Sequence, residues 1–75
     1  MQNTHNFSER LKELRKTKGD LQKNIAELLK ISDRHYRLYE AGGVDPPTTK
    51  LVILADYFDV STDYLIGRSE DPTRR

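Results

Sequence analysis

The chain contains no cysteine, which excludes a disulfide framework and a thiolate metal site. It also lacks a long apolar run. The longest, Leu51 to Ala55, is five residues, against about 20 for a helix that crosses a bilayer, so a spanning segment is excluded and no membrane partner is expected. The N-terminal stretch MQNTHNFSER is polar and has no apolar signal region, which predicts an intracellular, cytoplasmic protein. No surplus of one charge exists either: 13 Lys+Arg stand against 12 Asp+Glu for a net +1, too near neutral to mark a nucleic-acid binder from the total. No alternating strand pattern, internal repeat or low-complexity tract is visible. The 75 residues support one small core and no second domain. A core this small is marginal without disulfides or metal, so helix packing or dimerisation must supply the remaining stability.

What the charge total hides, its distribution reveals. Residues 1 to 40 carry nine Lys+Arg and six Asp+Glu, a balance of +3, whereas residues 41 to 75 carry four and six, a balance of −2. One half therefore suits a polyanion and the other does not.

Apolar periodicity places five helices. Phe7, Leu11, Leu14 and the stem of Lys18 form the inward stripe of a first helix ended by Gly19. Asp20 is the expected cap of a second, whose buried face is Ile25, Leu28 and Leu29, with Ala26 as the small residue of close approach. After a turn at Lys30 and Ile31, Ser32 caps a third helix over about 33–40 with Tyr36 and Tyr39 inward, stopped by Gly42 and Gly43. The prolines of VDPP keep the following loop extended. Thr48 is the expected cap of a fourth helix built on Leu51, Leu54, Ala55 and Phe58, and Ser61 begins a short fifth closed by Gly67. The predicted fold class is all-α, a compact bundle of five short helices over 7–67, with an N-terminal tail over 1–6 and a flexible C-terminal tail over 68–75.

Two helices joined by a short turn, with basic residues on the second, describe either a DNA-reading helix-turn-helix or a packed helical hairpin. The residue types decide between them. FSERLKELRKTKG, LQKNIAELLKIS, YRLYEAG and LADYFDVSTDYLIG occur in that order and resemble the lambda-repressor-like, Cro-like regulators of bacteria and phages, the XRE family, over roughly residues 7–67. The resemblance implies that Gln22, at the start of the second helix, contacts the DNA backbone and braces the recognition helix. It implies that Asp33, Arg34 and Leu38 meet base edges, with Arg37 between bases and phosphate. It further implies that Arg15 and Glu40 form a pair tying the first helix to the end of the third, and that Thr62, Tyr64 and Ile66 lie in a dimer interface. A homodimer on double-stranded DNA, acting as a transcriptional repressor, is the function it predicts.

The chemistry of the side chains supports these assignments independently. Arginine can give two parallel hydrogen bonds to guanine O6 and N7, which makes Arg34 the first candidate for base reading. Aspartate can accept from cytosine N4 and leucine can meet a thymine methyl, so Asp33 and Leu38 would discriminate more than they attract. Backbone N–H groups near Gln22 and Thr49 open helices and suit phosphates. Lys23, Lys50 and His35 are the further groups expected beside the DNA backbone.

The chain departs from the family pattern at three places. Lys30 stands where glycine is favoured and is expected at positive φ, GDLQ alters the start of the second helix, and GGVDPP lacks basic residues. His5 and His35 are too isolated for a metal site, and no metal or cofactor is expected. No nucleophile, base and orienter occur together, so an enzyme is not predicted. The rival reading is a protein-interaction module, such as an antitoxin-like partner or an accessory regulator, motivated by near-neutral charge and by Val52, Ile53 and Tyr57 beyond the core stripe of the fourth helix.

Overall fold

Four helices pack around a core that a fifth, very short one closes. The computed structural model describes residues 6–73 in the order α1 (Phe7–Lys18), α2 (Gln22–Leu29), α3 (Asp33–Ala41), α4 (Thr48–Phe58) and α5 (Thr62–Leu65). His5 and the rest of the N-terminal tail, with Arg74 and Arg75, lie outside the described residues. The body measures 33 × 26 × 24 Å. α3 packs on both α1 and α2, while α5 joins α4 to α1. Among the described residues the fully buried apolar side chains are Leu11, Ile25, Ala26, Leu29, Tyr36, Tyr39, Leu54 and Leu65, so each helix contributes to one centre.

The helix ends repeat one device. α1 to α4 all stop at a left-handed residue whose N–H, with that of the next residue, returns to the last turn. Glycine serves at Gly19 and Gly42, but Lys30 (φ 60°) and Asp59 (φ 57°) take the same conformation with a side chain present. Lys30 thus adopts the positive φ that its place in the sequence predicts. The turns at Lys30 and Asp59 are also near copies. Ile31 N–H donates to the Ala26 carbonyl and Val60 N–H to the Ala55 carbonyl, each at 3.0 Å. Ser32 and Ser61 then cap α3 and α5, accepting from the N–H of His35 and Tyr64, each at 3.0 Å. AELLKIS and ADYFDVS are therefore an internal repeat of structure. Only alanine, an aliphatic residue and serine recur, too few to show as a repeat of sequence.

Several expected details differ. Asn6, assigned to the tail, is the N-cap of α1, its Oδ1 accepting from Glu9 N–H at 3.0 Å. Asp20 does not cap α2: the cap position is Leu21, and the Asp20 carboxylate accepts from the hydroxyl of Tyr57 and from Asn24 instead. That hydroxyl lowers the Asp20 carboxyl below its ordinary range and is itself raised by the carboxylate. Thr48 is the first residue of α4 and Pro47 its cap. Leu28, expected inside, is 37% exposed, because the eight-residue α2 meets the core through Ile25, Ala26 and Leu29 alone. Lys18 lies outside with its ammonium 4.8 Å from the centre of the Tyr57 ring.

Arg10, counted by sequence among the cations of the basic half, is 1% exposed. Its guanidinium lies 3.8 Å from the centre of the Tyr64 ring and 3.5 Å from the Glu70 carboxylate. The Ser61 N–H donates to the Pro72 carbonyl at 3.0 Å. Two contacts thus bring the segment after Gly67, read from sequence as a loose tail, back onto the bundle.

Candidate nucleic-acid interface

The third helix is held from one side only. Tyr36, Tyr39 and Glu40 are buried, and the remaining faces of α3 carry Asp33, Arg34, Arg37 and Leu38, all exposed. Leu38, a large apolar side chain, is 41% exposed. Among the described residues no hydrogen bond or ion pair engages the side chains of Asp33, Arg34 or Arg37. Asp33 also stands in the first turn, where the helix dipole favours an acid. His35 is exposed, with its ring edge-on to Tyr39 at 5.1 Å.

Beneath this face lies a carboxylate with every acceptor site filled. Arg15 Nε donates to Glu40 Oε2 at 2.6 Å and Arg15 Nη2 to Glu40 Oε1 at 3.1 Å, a two-point contact between α1 and the end of α3. Tyr36 Oη donates to Oε2 at 2.6 Å and Gln22 Nε2 to Oε1 at 3.1 Å. Arg15 Nη1 reaches the Asp20 carbonyl at 3.1 Å, so one arginine spans the α1–α2 turn as well. Burial pushes the Glu40 carboxyl up, but the bonds from Arg15, Tyr36 and Gln22 outweigh it and hold the group below the ordinary carboxylate range. Burial first, and then the bond to Glu40, drive the Tyr36 hydroxyl far above an ordinary phenol.

The N-termini of α2 and α4 have no side-chain cap, leaving first-turn amides near Gln22 and Thr49 for an acceptor from outside. Lys23 is exposed beside the first of these. Lys50 is placed differently from its expected role: its Nζ donates to the Leu29 carbonyl at 2.8 Å and so caps the C-terminus of α2. Lys12, which sequence reasoning did not select, joins Gln22, Arg37 and Glu40 around an open depression between α1, α2 and α3. Its outward position on α1 was the available signal; its nearness to α3 was not legible.

Thr62, Tyr64 and Ile66 do not present one uniform surface. Thr62 is exposed beside a groove lined by Val52, Ala55, Val60 and Asp63, whereas the half-buried Tyr64 ring is covered by Arg10. Val52 and Ile53 stand exposed on α4.

A nine-residue helix held on its inner face and joined by a tight turn to the helix before it, in a five-helix order, defines a lambda-repressor-like helix-turn-helix domain. The chain belongs to the helix-turn-helix family, the XRE group, whose family model matches residues 11–65. It is 42% identical over 66 residues to YobD, an uncharacterized HTH-type transcriptional regulator of Bacillus subtilis, spanning 88% of this chain and 59% of YobD. The HTH-type transcriptional regulator ImmR of the same organism is 42% identical over 64 residues, spanning 85% of this chain and 50% of ImmR. The chain thus spans little more than half the length of these curated relatives. Among solved structures, a transcriptional regulator from Listeria innocua superposes with a TM-score of 0.81 at 41% identity, covering 84% of this chain and 59% of that one. Among the described residues no helix is long and apolar enough to cross a membrane.

Proposed function

We propose that this chain is a sequence-specific duplex-DNA-binding transcriptional regulator, acting in the cytoplasm as a repressor. The carrying observation is the contrast across α3, whose inner face is locked into the core while Arg34, Arg37 and Leu38 stand exposed and, among the described residues, no hydrogen bond or ion pair engages the two arginine side chains. Arg34 reads a guanine, Asp33 and Leu38 tune the neighbouring pairs, and Arg37 bridges towards phosphate. Gln22, Lys23, His35, Lys12 and the amides near Thr49 hold the DNA backbone and fix the register. Two copies related by a two-fold axis place the helices in successive major grooves about 34 Å apart. The names of the relatives, HTH-type transcriptional regulators, support the reading.

Selection of duplexes from a random library, followed by anisotropy titration at two salt concentrations, tests it. The expected result is enrichment of a two-fold symmetric sequence and a marked salt slope. Flat binding with no enriched sequence would favour a protein-interaction module instead, a reading that the exposed Val52 and Ile53 support.

A further inference from the structure

We infer that the buried Tyr36 hydroxyl is a positioning group for DNA binding, acting through the Glu40 carboxylate to hold the Gln22 side chain ready for phosphate. The inference rests on the DNA-binding reading above and assigns a role to a core residue that touches no ligand.

An ionised carboxylate offers about four acceptor sites, and at Glu40 all are occupied. Oε2 takes Tyr36 Oη and Arg15 Nε, both at 2.6 Å; Oε1 takes Arg15 Nη2 and Gln22 Nε2, both at 3.1 Å. The short bonds are on the oxygen that faces the core, and the longer pair is on the oxygen that faces Gln22. Tyr36 is fully buried, its ring edge-on to Tyr39 at 6.2 Å, so its hydroxyl is the donor whose place the core sets. Arg15 and Gln22 are both long side chains at the margin, only partly buried. The tyrosine therefore anchors the inner oxygen from the core side, and with the two-point Arg15 contact sets which oxygen turns outward.

The consequence falls on Gln22. A carboxylate has no proton to give, so the amide must present Nε2 to it. One N–H of Nε2 is held by Glu40, and among the described residues the other N–H and Oε1 take no hydrogen bond, at the first residue of α2 beside amides with no side-chain cap. A glutamine whose rotamer is fixed before binding loses less freedom when it meets a phosphate. Removing only the hydroxyl, as Tyr36→Phe does, keeps the ring and its packing but leaves the carboxylate tied by the partly exposed Arg15 alone, so that Glu40 turns more freely and Gln22 with it.

The test uses the full chain in two measurements. Without DNA, the side-chain amide protons of Gln22 are recorded by NMR in the wild type and in Tyr36→Phe. In the wild type one of the pair should be shifted downfield and slow to exchange, and in the variant it should move towards the position of a free glutamine. With the selected duplex, Tyr36→Phe should weaken binding about three- to tenfold, the equivalent of one net hydrogen bond. In the Gln22→Ala background the same change should cost nothing further, since the two act through one route. Wild-type Gln22 signals like those of a free side chain, signals unmoved in Tyr36→Phe, or losses that multiply in the double variant would each overturn the inference. Failure of the wild type to select any duplex would instead sink the DNA reading, and the amide measurement, made without DNA, still decides whether Tyr36 holds Gln22.

Discussion

The α2–turn–α3 and α4–turn–α5 segments share one turn and differ in the helix that leaves it. In both, a non-glycine residue at φ near 60° ends the first helix, the next N–H returns to an alanine carbonyl at 3.0 Å, and a serine caps the second helix. Beyond the serines they part. α3 runs nine residues, six of them exposed, whereas α5 runs four, buries Leu65 and has its tyrosine covered by Arg10. The turn geometry therefore sets only the angle between two helices. Reading DNA requires length beyond the turn and side chains left without partners.

The sharpest way to break the comparison is to remove what only the first segment has beneath it. Glu40→Ala should destabilise the fold by about 3 kcal/mol or more, because Arg15 and Tyr36 lose their shared partner in a mostly buried site; a denaturant titration measures it. Since the folded-state pKa of Glu40 is lowered, its contribution is present above the ordinary carboxylate pKa and is lost as the pH falls through the folded value. Melting temperatures of the wild type should accordingly drop in acid more steeply than those of Glu40→Gln.

Next in size is the exchange of corresponding positions. Arg34 and Asp63 each lie two residues past their capping serine. Arg34→Ala should cost about 1–3 kcal/mol of affinity and relax preference at one base pair, while Asp63→Ala should leave base preference untouched. Equal weakening of Arg34→Ala on every sequence would show that it touches phosphate only. Smaller again, Lys23→Ala should weaken binding to all duplexes alike and reduce the salt slope by about one. The smallest effects concern the turns themselves. Lys30→Gly should stabilise by about 1 kcal/mol in thermal denaturation by relieving left-handed strain, and Asp59→Gly by less, because aspartate tolerates that conformation better.

The helices, the inward tyrosines and the free face of α3 were legible because each is a local pattern of apolar spacing and turn residues. What was not legible depends on distant partners. Asp20 reads as a cap until Tyr57, 37 residues on, claims its carboxylate. Lys50 reads as a phosphate contact until the end of α2 supplies it a carbonyl. Arg10 reads as a surface cation because Tyr64 and Glu70 reach it only after the whole bundle has closed. At the site, the outward residues of α3 are legible from sequence but Lys12 is not, and Tyr36 reads as packing alone, since its hydroxyl acquires a role only when Glu40 lies one turn away on the same helix with Gln22 beyond it.

The burial of Arg10 bears on how far this chain can be trimmed. A truncation after Gly67 would strip Glu70 from an enclosed guanidinium and Pro72 from the amide that opens α5. The part of the chain that contacts the bundle therefore reaches Pro72, past the glycine where the helices stop.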